Sequence, residues 1–183
     1  MKPSRGLGKL IYMEWIFPLV DYHFTLKRNE RFYEVIFPYI IGIIAVIVYS
    51  ITDLVSVALD ELSILLPTAI SILIGFTAML ITILLTSSGE NVLKLKETTT
   101  DVNLRGISIS LYQKLHIQLV HALSNEIILL LSIFLYLFVS GVAHFDTFNK
   151  VMLCMLIYLI LNILLSILRG ITNIYFSFYS QKE

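Results

Sequence analysis

The chain is poor in charge: only 14% of its 183 residues are Asp, Glu, Lys or Arg, while 57% are hydrophobic. A soluble domain carries about 25% charged residues. A chain of this size could not hide so much apolar surface inside itself, so lipid is its natural solvent. There is one cysteine, Cys154, which excludes an intrachain disulfide and a multi-cysteine metal site. There is no glycine-rich phosphate loop, no nucleophile elbow and no pair of carboxylates at acid–base spacing. These absences point to a non-enzymatic protein that needs no cofactor. Internal repeats, low-complexity tracts and the paired broken helices of many transporters are also missing. The basic residues of the central loop alternate with Glu90, Glu97 and Asp101, so no nucleic-acid-binding patch forms.

The apolar residues lie in four long runs: Val35 to Thr52, Leu62 to Gly89, Ile127 to Phe145 and Val151 to Leu168. A helix needs about 20 such residues to cross a bilayer. Runs such as IIGIIAVIV and LLLSIFLYLF do not alternate in polarity, which excludes barrel strands. The reading is an all-α polytopic membrane protein with spans at 33–54, 63–87, 119–142 and 150–169. Before them lies a cytoplasmic and interfacial segment, 1–31; a loop, 88–115, sits in the middle and a tail, 170–183, at the end.

Twelve of the 13 Lys and Arg residues fall on one side of this scheme, and Lys150 alone lies on the other. The opposite loops are acidic, with Asp53, Asp60, Glu61 and Asp146. By the positive-inside rule both termini and loop 88–115 are expected in the cytoplasm.

Residues 7–24, LGKLIYMEWIFPLVDYHF, are too interrupted to span and rich in rings, among them Tyr12, Trp15 and Tyr22. They predict a retained helix lying on the inner surface and broken near Pro18. In the loop, ENVLKLKE predicts a helix prolonging the second span, ended by TTTD. Another helix is expected from Ser108 or Ser110, with ISIS as an alternative short strand.

Few residues offer chemistry. Glu126 falls near the inner edge of the third span, about 4.5 Å inside it at 1.5 Å per residue. It is either an interfacial carboxylate bonded to adjacent helices or an intramembrane acid that binds a cation or relays a proton. His116, His121 and Glu126 are five apart, so on one helix they face different ways and cannot share a metal. In the fourth span Cys154, Tyr158, Asn162 and Ser166 recur every four residues and lead to Gly170. This stripe is helix–helix glue or the lining of a water-filled path. Ser71, Gly75, Ala78, Thr82 and Thr86 form a small-residue stripe in the second span. The two stripes together predict close packing of spans two and four, within a protomer or across a homo-oligomer.

The surface segment MEWIFPLVDYHF, the loop ENVLKLKETTTD and the four spans together resemble small four-span membrane proteins of bacterial anti-phage operons, in particular the membrane subunits of Kiwa systems, which implies a bacterial inner-membrane location. The resemblance implies an oligomeric membrane subunit that senses infection and anchors a cytoplasmic effector. Loop 88–115, with Lys94, Lys96 and Arg105, is the expected docking segment. An oligomeric ion-conducting pore lined by the Asn162 stripe is the alternative.

Overall fold

A computed structural model describes residues 16–104, 106–142 and 146–179. Tyr12, Trp15, Arg105 and His144 therefore lie outside the described residues. The chain begins with α1 (Ile16–Thr25). It continues through α2 (Arg28–Arg31), a π-helical turn (Phe32–Ile36) and α3 (Phe37–Ile51), which together form one rod, Arg28–Ile51. After a short turn come α4 (Val55–Thr86) and α5 (Glu90–Glu97). Strands β1 (Thr99–Leu104) and β2 (Ile107–Ser110) follow, then α6 (Leu111–Ser140) and α7 (Asp146–Tyr179). The rod Arg28–Ile51 and helices α4, α6 and α7 are long and apolar enough to cross a membrane, as an all-α polytopic protein requires.

Local chemistry sets the element ends. Asp53 takes a φ of 54° in the turn between α3 and α4, a conformation that aspartate tolerates better than bulky residues do. Ser110 caps α6: its hydroxyl accepts from the Gln113 amide at 3.3 Å, and the Gln113 side chain accepts from the Ser110 amide at 2.9 Å. Pro18 stands in the first turn of α1, where its missing N–H is not needed. Among the described residues α1 is thus continuous rather than broken at that proline.

Loop 88–115 is only partly helical. The segment Ser87 to Gly89 separates α5 from α4, so α5 does not prolong the second span. Thr98 closes α5 by donating its hydroxyl to the Lys94 carbonyl at 2.8 Å. The chain then forms an antiparallel hairpin, with Thr99 opposite Ser110 and Leu104 opposite Ile107. The β-branched residues Thr99, Thr100, Val102, Ile107 and Ile109 favour strands. Gly106, at a φ of 82°, supplies the left-handed backbone of the turn. Val102 and Ile109 are buried and hold the hairpin to the bundle.

Within one protomer the expected close packing of spans two and four through their stripes is corrected. Helix α7 packs chiefly on α6 and α3, while α4 packs chiefly on α6. The stripe Ser71, Gly75, Thr82 and Thr86 faces outward, and a Cβ placed on Gly75 would meet nothing within 4 Å. Its hydroxyls need no partner helix, because Ser71, Thr82 and Thr86 donate to Pro67, Ala78 and Thr82 carbonyls of their own helix. The close approach is elsewhere: a Cβ on Gly42 of α3 would lie 3.0 Å from the Cys154 carbonyl of α7. Leu59, Leu129, Ile133, Leu153, Leu156 and Ile163 fill the apolar centre.

Candidate functional site

A proline starts the site. In an α-helix the carbonyl of Glu34 would accept from the amide of residue 38, but Pro38 has none. Its ring also crowds that carbonyl, and the helix widens into the π turn Phe32–Ile36 just before it. The freed Glu34 carbonyl accepts from Nδ2 of Asn162 on α7 at 2.6 Å.

Asn162 is fully buried, and its other end is engaged too. Oδ1 accepts from Asn125 Nδ2 at 2.7 Å and lies 3.3 Å from His121 Nε2. Asn125 Nδ2 also approaches His121 Nε2 at 3.0 Å. The His121 ring stacks on Tyr22 of α1, with centroids 3.6 Å apart and planes 11° from parallel. The Tyr22 hydroxyl bonds Oε2 of Glu34 and lies 2.9 Å from Ser166 Oγ. One turn further along α6, Gln118 Nε2 donates to the Ser166 carbonyl at 2.6 Å.

Four charges close this seam at the basic end. Arg169 Nε lies 2.8 Å from Glu34 Oε1, and its Nη1 lies 3.1 Å from Glu30 Oε2. Lys114 Nζ donates to the other Glu30 oxygen at 3.2 Å. Two cations thus balance two carboxylates, a requirement for charge held away from water. At the rim, Lys27 Nζ reaches Asp101 of β1 at 3.2 Å, linking the cluster to the hairpin. Beside it, burial and the nearby Arg31 cation hold the His23 imidazole below its ordinary pKa.

Glu126 stands apart. It faces α4, accepts from Thr77 Oγ1 at 2.7 Å on Oε1, and has no solvent exposure. The three residues His116, His121 and Glu126 diverge as their spacing requires. His121 joins the seam, Glu126 joins Thr77, and His116 lines a groove of about 290 Å³ with Leu85, Leu104 and Tyr112.

The sequence-predicted residues therefore separate. Asn162 and Ser166 are central to the seam, while Tyr158 is half-buried and outside its bonds. Gly75 lies on an outer face. Lys94 is exposed on α5, and Lys96 lies 5.0 Å from the Tyr112 ring centre. Tyr22, Glu30, Glu34, Lys114, Gln118, Asn125 and Arg169 were not predicted. One signal was present on α6: Lys114, Gln118, His121 and Asn125 step by four, three and four, which puts them on one helix face.

Beyond Asn125 the shared interior of α6 and α7 turns apolar. Leu129 and Ile133 join Leu153 and Leu156 in the apolar cluster, all at most 2% exposed, and among the described residues the buried Ser132 of this layer donates to the Ile128 carbonyl of its own helix rather than extending the seam. At the acidic end Tyr136 donates to Asp60 Oδ1 at 2.8 Å, and a cavity of about 580 Å³ opens among Asp53, Asp60, Asp146 and Lys150. No protein-family model matches the chain, nor does any curated protein or solved structure.

Proposed function

We propose that the protein is a non-enzymatic membrane subunit that anchors a cytoplasmic effector and couples the packing of its spans to that partner. The observation that carries this reading is the ion-pair cluster of buried Glu34 and Lys114 with half-buried Glu30 and Arg169. Ionisable groups are expensive within membrane spans and mark function by default. Here they tie the first, third and fourth spans at one point, and Lys27–Asp101 extends the tie to the hairpin. A perturbation that shifts one span changes the support of the hairpin. The positive-inside rule puts this end in the cytoplasm, and the resemblance to anti-phage membrane subunits makes an infection-responsive complex the reading's biological setting. The exposed stripe around Gly75 is the face offered to a second copy, as a homo-oligomer requires.

The test is co-purification of tagged protein from its native host. Replacing Lys94 and Lys96 by glutamate should weaken recovery of the partner while leaving oligomer mass in native gels unchanged. Unchanged recovery removes this loop as the docking segment, and a monomeric mass for the wild type removes the oligomer. A pore is the second reading, favoured by the depth to which polar side chains enter the bundle. The layer of Leu129, Ile133, Leu153 and Leu156 requires such a path to run between copies. Ion flux through proteoliposomes, absent from an equally assembled Gly75→Leu variant, would support it.

A further inference from the structure

Among the described residues Glu126 is the one buried carboxyl that the seam does not use. Oε1 accepts from Thr77, whereas Oε2 is sealed from solvent and receives no hydrogen bond. Among the described residues no Lys, Arg or His lies within ion-pair distance of it. The surrounding elements offer little to compensate a charge. From Leu62 to Gly89, α4 has no titratable side chain. Between Lys150 and Arg169, α7 has only Cys154 and Tyr158, and the spanning part of α3 has only Tyr39 and Tyr49. On α6 itself, His121 is committed to Asn125 and Asn162, and Tyr136 donates to Asp60 near the acidic end. The contrast with Glu34 is direct: that carboxyl has both Arg169 and the Tyr22 hydroxyl.

We propose that Glu126 is an intramembrane proton-binding site, its carboxyl carrying a proton while α4 is packed on α6. An isolated carboxylate in an apolar interior is penalised an order of magnitude more than an unpaired neutral O–H, so the group neutralises instead. Thr77 can donate to the carbonyl oxygen of a neutral carboxyl as well as to a carboxylate, so the observed bond is compatible with the acid form. Thr77 also belongs to the helix that covers the site. Oε2 meets water only if α4 moves off α6, and the proton then leaves to that water. Proton release and separation of α4 from α6 are therefore one event.

Infrared difference spectroscopy of the full chain in lipid bilayers at neutral pH tests this, with wild type compared against Glu126→Gln. The expected difference is the carbonyl stretch of a protonated carboxyl, present in wild type and missing from the variant. The symmetric and antisymmetric bands of an ionised carboxylate in its place would overturn the proposal. Thr77→Val supplies the second arm, and it stands even if Glu126→Gln fails to assemble. Losing the hydroxyl must shift the protonated-carboxyl band upward, because its carbonyl loses a donor. A band unmoved by Thr77→Val belongs to another residue and refutes the assignment to Glu126.

Discussion

Replacing Asn162 with leucine should destabilise the bundle by about 2–5 kcal/mol. The side chain donates to the Glu34 carbonyl at 2.6 Å, accepts from Asn125 at 2.7 Å and lies 3.3 Å from His121 Nε2. Interhelical hydrogen bonds in membranes average about 0.6 kcal/mol, which sets the lower end for three contacts. The upper end comes from the groups left behind, since each buried donor or acceptor without a partner costs about 1–3 kcal/mol. The Glu34 carbonyl is the most exposed to this penalty, because Pro38 cannot donate to it. The proline therefore provides an internal control. In a Pro38→Ala background an amide returns at position 38, and Asn162→Leu should then cost less by about 1 kcal/mol or more. Reversible unfolding in mixed micelles, followed by the reactivity of the single thiol of Cys154, measures both terms. A cost for Asn162→Leu below about 0.5 kcal/mol, or the same cost with and without the Pro38→Ala change, refutes this account of the seam.

Arg169→Ala should be more damaging, by about 3–5 kcal/mol, because it strands Glu34 and half-strands Glu30. Arg169→Lys should recover only part of the loss in detergent melting curves, since one ammonium cannot serve both carboxylates in the geometry of a guanidinium. Acidification should loosen α1. Docked His23 has its pKa lowered by burial and Arg31, so as pH falls the undocked chain takes up its proton first. The stabilising contribution is complete above the ordinary histidine value of about 6.5 and is lost as pH drops below it. Protease protection of α1 should decline over that window and become flatter in His23→Gln. Gly42→Ala should lower the melting temperature, because its Cβ would stand 3.0 Å from a backbone oxygen of α7. Gly75→Ala should raise the melting temperature of the dispersed protomer slightly, since nothing lies near within the protomer and alanine is the better helix former by about 1 kcal/mol.

The membrane-crossing helices were legible because each is a long uncharged run, and tertiary context cannot turn such a run into anything else that lipid tolerates. The hairpin was half legible: ISIS alternates in the strand manner, but four residues are too few to decide between strand and helix start. The seam was not read, for two different reasons. On α6 the four-three-four spacing of Lys114, Gln118, His121 and Asn125 marks one polar face, whereas the five-residue spacing of His116, His121 and Glu126 marks none. Tyr22, Glu34 and Arg169 could not be joined from sequence, because their partners are far apart along the chain: Tyr22 and Ser166 are separated by 144 residues. The pair Glu34 and Pro38 held a usable clue. A proline four residues after a residue in a span always leaves a carbonyl to be satisfied, and Asn162 was the buried amide in search of one.

Replacing a buried ion pair by apolar side chains often stabilises a protein, so the charge cluster is weak evidence for stability alone. Its geometry argues for register instead. Beyond Asn125 helices α6 and α7 meet through leucine and isoleucine, and an apolar contact of that kind permits slips of one turn, about 5.4 Å. Such a slip would break Gln118 from Ser166, Asn125 from Asn162 and Arg169 from Glu34 together. The polar bonds penalise every register but one. That register also fixes where α6 begins, just after its cap Ser110, and hence where the hairpin emerges beside Lys27. The polar half of the bundle thus sets the position of the hairpin, and the apolar half supplies the packing that keeps the helices together.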